Sequence, residues 1–308
     1  MHRIAVIGAG QFGQNHCRVV RQSARAELIA VVDIDPARGD LADFRELAGR
    51  VDAAIVATPT SVHAEIGCWL LEHGIDVLVE KPIAPDLESA GRLVSAAERH
   101  GRILQVGHLE RFNPAVVALE SRITLPLFFE IHRLSVFSPR SLDVDVILDL
   151  MIHDIDIVLN LTRAEPAEVR AAGVSILSPK VDIANVRLQF PNGCVANLTA
   201  SRVSTERVRK LRLFQPQQYC SLDYARQEVL IFSVGENHQV SFEPVPVTKS
   251  EPLQLQFDAF LDSVESRTSP KTSGRAARLT LRIALSILDK IKEHSEIVSQ
   301  SLASGWKL

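Results

Sequence analysis

The chain has no apolar run approaching the roughly 20 residues that cross a bilayer as a helix, so no membrane span is expected. It has no basic excess either. Lys and Arg number 34 against 37 acids, a net charge of -3, which gives neither nucleic acid nor an anionic membrane a reason to bind. Cysteine is scarce: Cys17, Cys68, Cys194 and Cys220 are widely scattered and form no C-x-x-C. That argues against a disulfide framework and for reduced packing residues in a cytoplasmic protein. Met1 leads almost at once into a strand, leaving no room for a secretory signal, and Trp306-Lys307-Leu308 is not a peroxisomal ending. H-E-x-x-H and Cys/His ligand spacings are absent, so no metal is expected. There is no internal repeat and no low-complexity tract. What remains is a globular composition, 46% hydrophobic and 23% charged over 308 residues, suited to two domains of ordinary size.

The first domain opens with Arg3-Ile4-Ala5-Val6-Ile7, a short apolar strand, then Gly8-Ala9-Gly10-Gln11-Phe12-Gly13 and a helix to about Gln22. This is G-x-G-x-x-G in its required setting. Gly8 makes the tight turn, Gly10 lets a pyrophosphate approach the backbone, and Gly13 lets the helix pack closely on the strand. The helix amino terminus then offers free N–H groups to phosphate, with Gln11 and Phe12 in its first turn. A second strand, Leu28 to Val32, ends in Asp33, 20 positions after Gly13, where a carboxylate holds the adenosine ribose hydroxyls and repels a 2'-phosphate. The expected cofactor is NAD. Arg38 keeps NADP as the lesser alternative.

Further strands, Ala53 to Ala57, Ile75 to Val79 and Ile103 to Val106, alternate with helices Ala64 to Glu72 and Leu87 to His100, which predicts a parallel sheet covered on both faces. In such sheets ligands collect beyond the carboxyl ends of the strands. Three polar segments lie there. Thr58, Pro59, Thr60 and His63 follow the third strand, where His63 either lines the cofactor crevice or starts the next helix. Glu80-Lys81-Pro82 follows the fourth, with Pro82 restricting Lys81 to extended geometry and aiming it at a fixed place. In isolation that Glu-Lys pair reads by default as a solvated strand end with a surface ion pair. Arg111 and Asn113 follow the fifth strand, and Pro114 can open the helix that leads out of the domain.

After Leu125-Pro126 the pattern changes to alternating strands: Phe128 to Val136, Glu168 to Val174, Val181 to Phe190, Cys194 to Ser201, Val208 to Phe214, Tyr219 to Asp223, Glu228 to Phe232 and Gln239 to Phe242. Pro191-Asn192-Gly193 is a hairpin turn. A mainly antiparallel open sheet follows, with one face exposed or covered by a partner. A helix, Val144 to Leu161, interrupts it and is apolar round most of its cylinder. Yet Asp145, Asp149, His153, Asp156 and Asn160 form one polar stripe. Asp149 lies four residues before His153, so the two are either a satisfied structural pair, the commoner case for a helical Asp and His, or a carboxylate that orients the imidazole and tunes it as a general base. Asp154 lies off the stripe and is expected to position the helix. Leu253 to Ser266 and Ala276 to His294 close the chain as helices. The expected fold is α/β: residues 1–120 form an N-terminal Rossmann dinucleotide-binding domain, and residues 121–308 an α+β domain with a large, mainly antiparallel open sheet.

Val-Ile-Gly-Ala-Gly at the start, Ala57-Thr58-Pro59-Thr60 with His63, Val79-Glu80-Lys81-Pro82 and Asp149-x-x-x-His153 together resemble the Gfo/Idh/MocA family of nicotinamide-dependent oxidoreductases. The resemblance implies that Lys81 sits beside the reacting carbon, that Pro82 is cis, and that His153 is the acid/base. It implies a ring secondary alcohol of a sugar or cyclitol as substrate. Val106 to Pro114, Asp143 to Asp156 and Ser201 to Pro216 are similar to a nucleotide-sugar branch, which oxidises the 3-hydroxyl of UDP-N-acetylglucosamine to a ketone on the way to a 3-amino sugar of lipid A. A diphosphate needs cations, and Arg133, Arg140, Arg202, Arg207 and Lys210 are candidates. An inositol or free-sugar dehydrogenase, or a cofactor-binding regulator without catalysis, are the alternatives. An uncovered sheet face implies a homo-dimer or homo-tetramer. One departure from the family stands out: between Asp33 and the third strand only Pro36 to Val51 remains, room for one short helix and an adenine pocket that is more open.

Overall fold

The computed structural model describes residues 1–137, 144–235 and 237–303. They form two compact units. Met1–Phe112 with Ser250–Leu281 make the first, and Asn113–Lys249 with Arg282–Leu308 the second.

In the first unit, β1 (His2–Ile7) runs into α1 (Gln11–Gln22), β2 (Ala26–Val32), β3 (Ala53–Val56), α2 (His63–Glu72), β4 (Asp76–Val79), α3 (Leu87–Arg99) and β5 (Leu104–Val106). All strand pairings are parallel, in the order β2-β1-β3-β4-β5. The four residues of β3 and the four of β4 are all buried, which is why these strands, Asp76 apart, read as apolar runs without alternation. The shortened stretch after Asp33 holds one 3-10 turn, Phe44–Leu47, capped by Asp43, and a single parallel bridge from Val32 to Leu41.

In the second unit, α4 (Pro114–Glu120) is followed by β6 (Phe128–Val136), a π-helical turn (Ile147–Met151), α5 (Ile152–Thr162), β7 (Glu168–Val174), β8 (Ile183–Gln189), β9 (Val195–Ser204), β10 (Val208–Gln215), β11 (Gln218–Asp223), β12 (Glu228–Val234) and β13 (Val240–Val245). The sheet order is β13-β12-β11-β10-β6-β9-β8-β7. Every pairing is antiparallel except β6 with β9. That parallel pair requires a crossover, and the π turn, α5 and the β7–β8 hairpin supply it. Gly193, at φ +85, makes the tight turn between β8 and β9. Burial pushes the Cys194 and Cys220 thiols up to about 11, so neither is a reactive thiolate at neutral pH.

The chain ends in α6 (Pro252–Ser266) and α7 (Gly274–Ala303). The sequence places both helices in the second domain, beyond residue 120; the structure returns residues 250–281 to the first unit. The reason is the apolar stripe of α6. Leu253, Phe257, Phe260, Leu261 and Val264 are buried with Ile4, Val6, Val19 and Val20, completing one face of the parallel sheet's core. Each such side chain contributes roughly 1.5–3 kcal/mol of burial. Arg18 pairs with Glu251, Arg25 with Glu265 at 3.0 Å, and Arg267 with the buried Asp76 at 2.7 Å. No helix among the described residues is long and apolar enough to cross a membrane.

Candidate active site

The glycine loop joins β1 to α1, and its three glycines are required for different reasons. Gly8 sits at φ +92, and a Cβ there would lie 2.6 Å from the Ala57 carbonyl oxygen. A Cβ on Gly13 would lie 1.8 Å from the Gly8 carbonyl oxygen. A Cβ on Gly10 would meet nothing within 4 Å, so only an approaching ligand needs that position bare. No side chain among the described residues caps the amino terminus of α1. At the end of β2, Asp33 accepts from Asp35 N–H at 2.9 Å and from Ala9 N–H, inside the glycine loop, at 2.6 Å. The Asp35 bond first, then the Ala9 bond and nearby Arg38, hold this carboxyl below its usual range against burial, so it is a carboxylate fastened to the loop. Arg38 is paired with Asp35 at 3.0 Å.

A cleft of about 720 Å³ runs along this edge, lined by Gly8, Gly10, Asp33, Ile34, Phe44, Arg45, Thr58, Pro59 and Val62. Phe44 has the Arg45 guanidinium 4.5 Å from its ring centre and meets Trp69 edge-on. The Thr58 hydroxyl is buried and finds no hydrogen-bond partner among the described residues. An open Gly10, an uncapped helix terminus, a fixed carboxylate and an orphaned hydroxyl fit a dinucleotide with its pyrophosphate over the loop. Phe12 is 42% exposed beside it. Thr60 and Pro59 open the 3-10 turn that precedes α2.

His63 is buried, with Nδ1 3.0 Å from the Pro82 carbonyl and Nε2 2.9 Å from the Thr58 carbonyl. It therefore ties the turn after β3 to the turn after β4. Burial pushes this imidazole down, against the pull of those two carbonyls, so the neutral ring donates to one of them. The unfolded chain takes up a proton near pH 6.5, and the folded chain only at lower pH, so His63 contributes stability that is present above about 6.5 and lost as pH falls below it. The expected result is that His63→Gln melts with a shallower dependence on pH across that window than the parent protein. Parallel slopes would remove the argument.

Glu80 and Lys81 emerge from the carboxyl end of β4, and the Lys81–Pro82 peptide is cis. Glu80 is buried and Lys81 half-buried. One Glu80 oxygen accepts from His16 Nε2 at 2.7 Å, and the other accepts from the Lys81 backbone N–H at 3.2 Å. His16 stands three residues after Gly13 on the helix that the glycines open, and no motif in the sequence marks it.

In the second unit, Asp149 lies in the π turn and His153 in the first turn of α5, both half-buried. The sequence predicts one continuous helix from Val144; a π turn there adds a residue to the turn and changes which side chains share a face. Single π turns recur at functional sites. Two other residues of the polar stripe are used internally. Asp145 accepts from Val181 N–H at 2.9 Å, and Asn160 donates to Glu120 at 2.7 Å. Asp154 is buried and receives Arg133 through two bonds of 2.8 Å, with the guanidinium 5.0 Å from the centre of the Tyr224 ring.

Several residues expected at the substrate have partners within the protein. Arg133, a candidate for the diphosphate, is 2% exposed and clamped by Asp154. Arg202 is buried, donating to the Val144 carbonyl and lying 3.5 Å from Asp182. Asn113 caps α4, accepting from Ala115 N–H and donating to the Tyr224 carbonyl at 3.1 Å. Arg111 is buried in the first unit and donates to the Lys271 carbonyl. Arg207 and Lys210 stay exposed, and Arg140 lies outside the described residues. Buried cations at this spacing cannot be distinguished from surface ones by pattern, because strand alternation says which face a residue is on and not what covers that face.

Residues 2–108 match the model of an oxidoreductase family with an NAD-binding Rossmann fold, and residues 119–215 match the Gfo/Idh/MocA C-terminal domain. A UDP-N-acetylglucosamine 3-dehydrogenase of Acidithiobacillus ferrooxidans is 35% identical over 92% of this chain and 96% of its own. The solved structure of that dehydrogenase superposes with a TM-score of 0.90, covering 95% of this chain and 98% of the other. An inositol 2-dehydrogenase of an Arthrobacter species is 34% identical over 54% of this chain and 56% of its own. The chain belongs to the Gfo/Idh/MocA family of oxidoreductases, and residues 2–108 carry that family's NAD-binding Rossmann fold.

Proposed function

We propose that this enzyme oxidises the 3-hydroxyl of UDP-N-acetylglucosamine to a ketone with NAD as acceptor. The observation that carries the reading is the 35% identity that runs through 92% of the chain to a dehydrogenase of that name, where the inositol dehydrogenase is matched over little more than half. Bound NAD supplies the hydride acceptor. His153 takes the hydroxyl proton as the hydride leaves the same carbinol carbon, Asp149 orients the imidazole, and Lys81 stabilises the developing alkoxide. The glycine loop, Asp33 and Thr58 hold the dinucleotide. A 3-ketone is what an aminotransferase needs to make a 3-amino sugar, so the product suits a route to lipid A in the cytoplasm.

The test is NADH formation with UDP-N-acetylglucosamine against myo-inositol and glucose, with an aminotransferase present to draw off the ketone. Turnover is expected with the nucleotide-sugar alone. Turnover with a free polyol alone would keep the chemistry and discard the substrate; NADH binding without turnover on any of them would favour a regulator.

We also propose that the sheet of the second unit is shared between two copies of the chain. Phe128, Phe214, Tyr219, Phe232 and Phe242 form a ladder across five strands, with successive ring centres 4.9 to 6.3 Å apart. Phe242 is 71% exposed, Val240 69% and Phe214 40%, an apolar area that a second copy would remove from water. Light scattering on the parent should give a dimer or tetramer, and the pair of changes Phe214→Arg and Phe242→Arg should dissociate it. A monomeric parent protein would end this assignment.

A further inference from the structure

Next to Lys81 in the chain, Glu80 forms a buried pair with His16 that takes no part in the hydride transfer itself. His16 is fully buried on α1, and its Nε2 donates to Glu80 Oε1 at 2.7 Å. Glu80 is 8% exposed. Its other oxygen accepts the backbone N–H of Lys81, and a Cβ on Gly107 would lie 2.6 Å from that oxygen, so the carboxylate is walled on that side too. The Phe12 ring stands edge-on to the imidazole, 5.6 Å between centres. The main chain under the pair is itself pinned, Glu80 N–H to Val56 O at 2.9 Å and Gly107 N–H to Val79 O at 2.8 Å.

A buried carboxylate is costly unless its oxygens are bonded, so Glu80 needs the imidazole. A strand end that only had to be filled would be filled more cheaply by an apolar side chain. What the polar pair adds is direction: with one oxygen held by α1, the other is fixed against the amide of the next residue, and that amide is the root of Lys81. We propose that His16 is a positioning residue for Lys81, acting through Glu80. The proposal rests on the reading of Lys81 as the group beside the reacting carbinol. The amino-terminal turns of α1 then serve two ends, the helix terminus toward the dinucleotide and the imidazole toward the catalytic lysine.

His16→Leu keeps the volume and removes the donor; His16→Gln restores a nitrogen donor at similar reach. With full-length protein and the nucleotide-sugar assay, His16→Leu should lower kcat about ten- to a hundredfold while KM and NADH affinity, read by fluorescence titration, stay within about threefold. His16→Gln should recover most of the loss. A second readout needs no turnover: trace acetylation by acetic anhydride, quantified at Lys81 by mass spectrometry. Its rate should change at least about threefold in His16→Leu and return in His16→Gln. Unchanged labelling in His16→Leu overturns the proposal, as does a loss that His16→Gln fails to repair. If the parent turns over no nucleotide-sugar, the substrate reading fails and the labelling arm still decides the role of His16. Should His16→Leu not fold, His16→Asn, too short to reach Glu80, is measured in its place with the same outcomes.

Discussion

Lys81→Ala lowers kcat/KM by about 10²- to 10³-fold, the loss expected when one preorganised donor to a developing oxyanion is removed, while NADH binds as in the parent. In transition-state terms that is about 2.7–4 kcal/mol. Two features of the site make the separation clean. The dinucleotide cleft is built from the glycine loop, the end of β2 and the turn after β3, none of which includes Lys81. The lysine's backbone N–H is held by the Glu80 carboxylate, a bond that Lys81→Ala keeps. Lys81→Arg should recover little, because a planar guanidinium does not place its charge where an ammonium does. Steady-state kinetics with a parallel fluorescence titration of NADH checks both halves. Full turnover in Lys81→Ala would remove this residue from the chemistry, and lost NADH affinity would move it to the cofactor.

The second large effect is a contrast between two glycines three residues apart. Gly13→Ala forces a methyl to within 1.8 Å of the Gly8 carbonyl oxygen, and both partners are backbone, so no side chain can swing away. Stability falls by about 1–3 kcal/mol or more, as for overpacking elsewhere. NADH affinity falls roughly a hundredfold, because the loop that cradles the pyrophosphate must move. Gly10→Ala meets no protein atom within 4 Å. Its melting temperature should match the parent's, yet NADH affinity should fall, since the added methyl occupies the pyrophosphate's approach. Thermal melts and NADH titrations of the two proteins suffice. Parent-like NADH affinity in Gly10→Ala would mean that the loop does not carry the cofactor.

That contrast also shows what the sequence can and cannot state. G-x-G-x-x-G between a strand and a helix specifies its own local geometry, so the three glycines, Asp33 and the parallel strands were legible one residue at a time. The strands of the second unit were legible too, to within a few residues, because their period of two survives in any register. Partners distant in the chain were not. His16 and Glu80 are 64 residues apart, and nothing in either neighbourhood names the other. Arg133 reads as a surface cation until Asp154 is seen against it. The apolar stripe of α6 announces a buried helix without saying which sheet it covers, and the π turn at Ile147–Met151 leaves no mark in hydrophobic periodicity.

The return of α6 to the first unit has a consequence for how the chain is made. Residues 1–112 leave the ribosome long before residues 250–281, with the whole of 113–249 synthesised in between. At typical rates of 5–20 residues per second the gap lasts roughly 7 to 30 s. Throughout it, the face of Ile4, Val6, Val19 and Val20 that Phe257 and Phe260 will cover stays open to water and to any other apolar surface nearby. The nascent dinucleotide domain thus carries an uncovered apolar face during each round of translation, and a fragment stopped at Glu120 would keep that face uncovered for good.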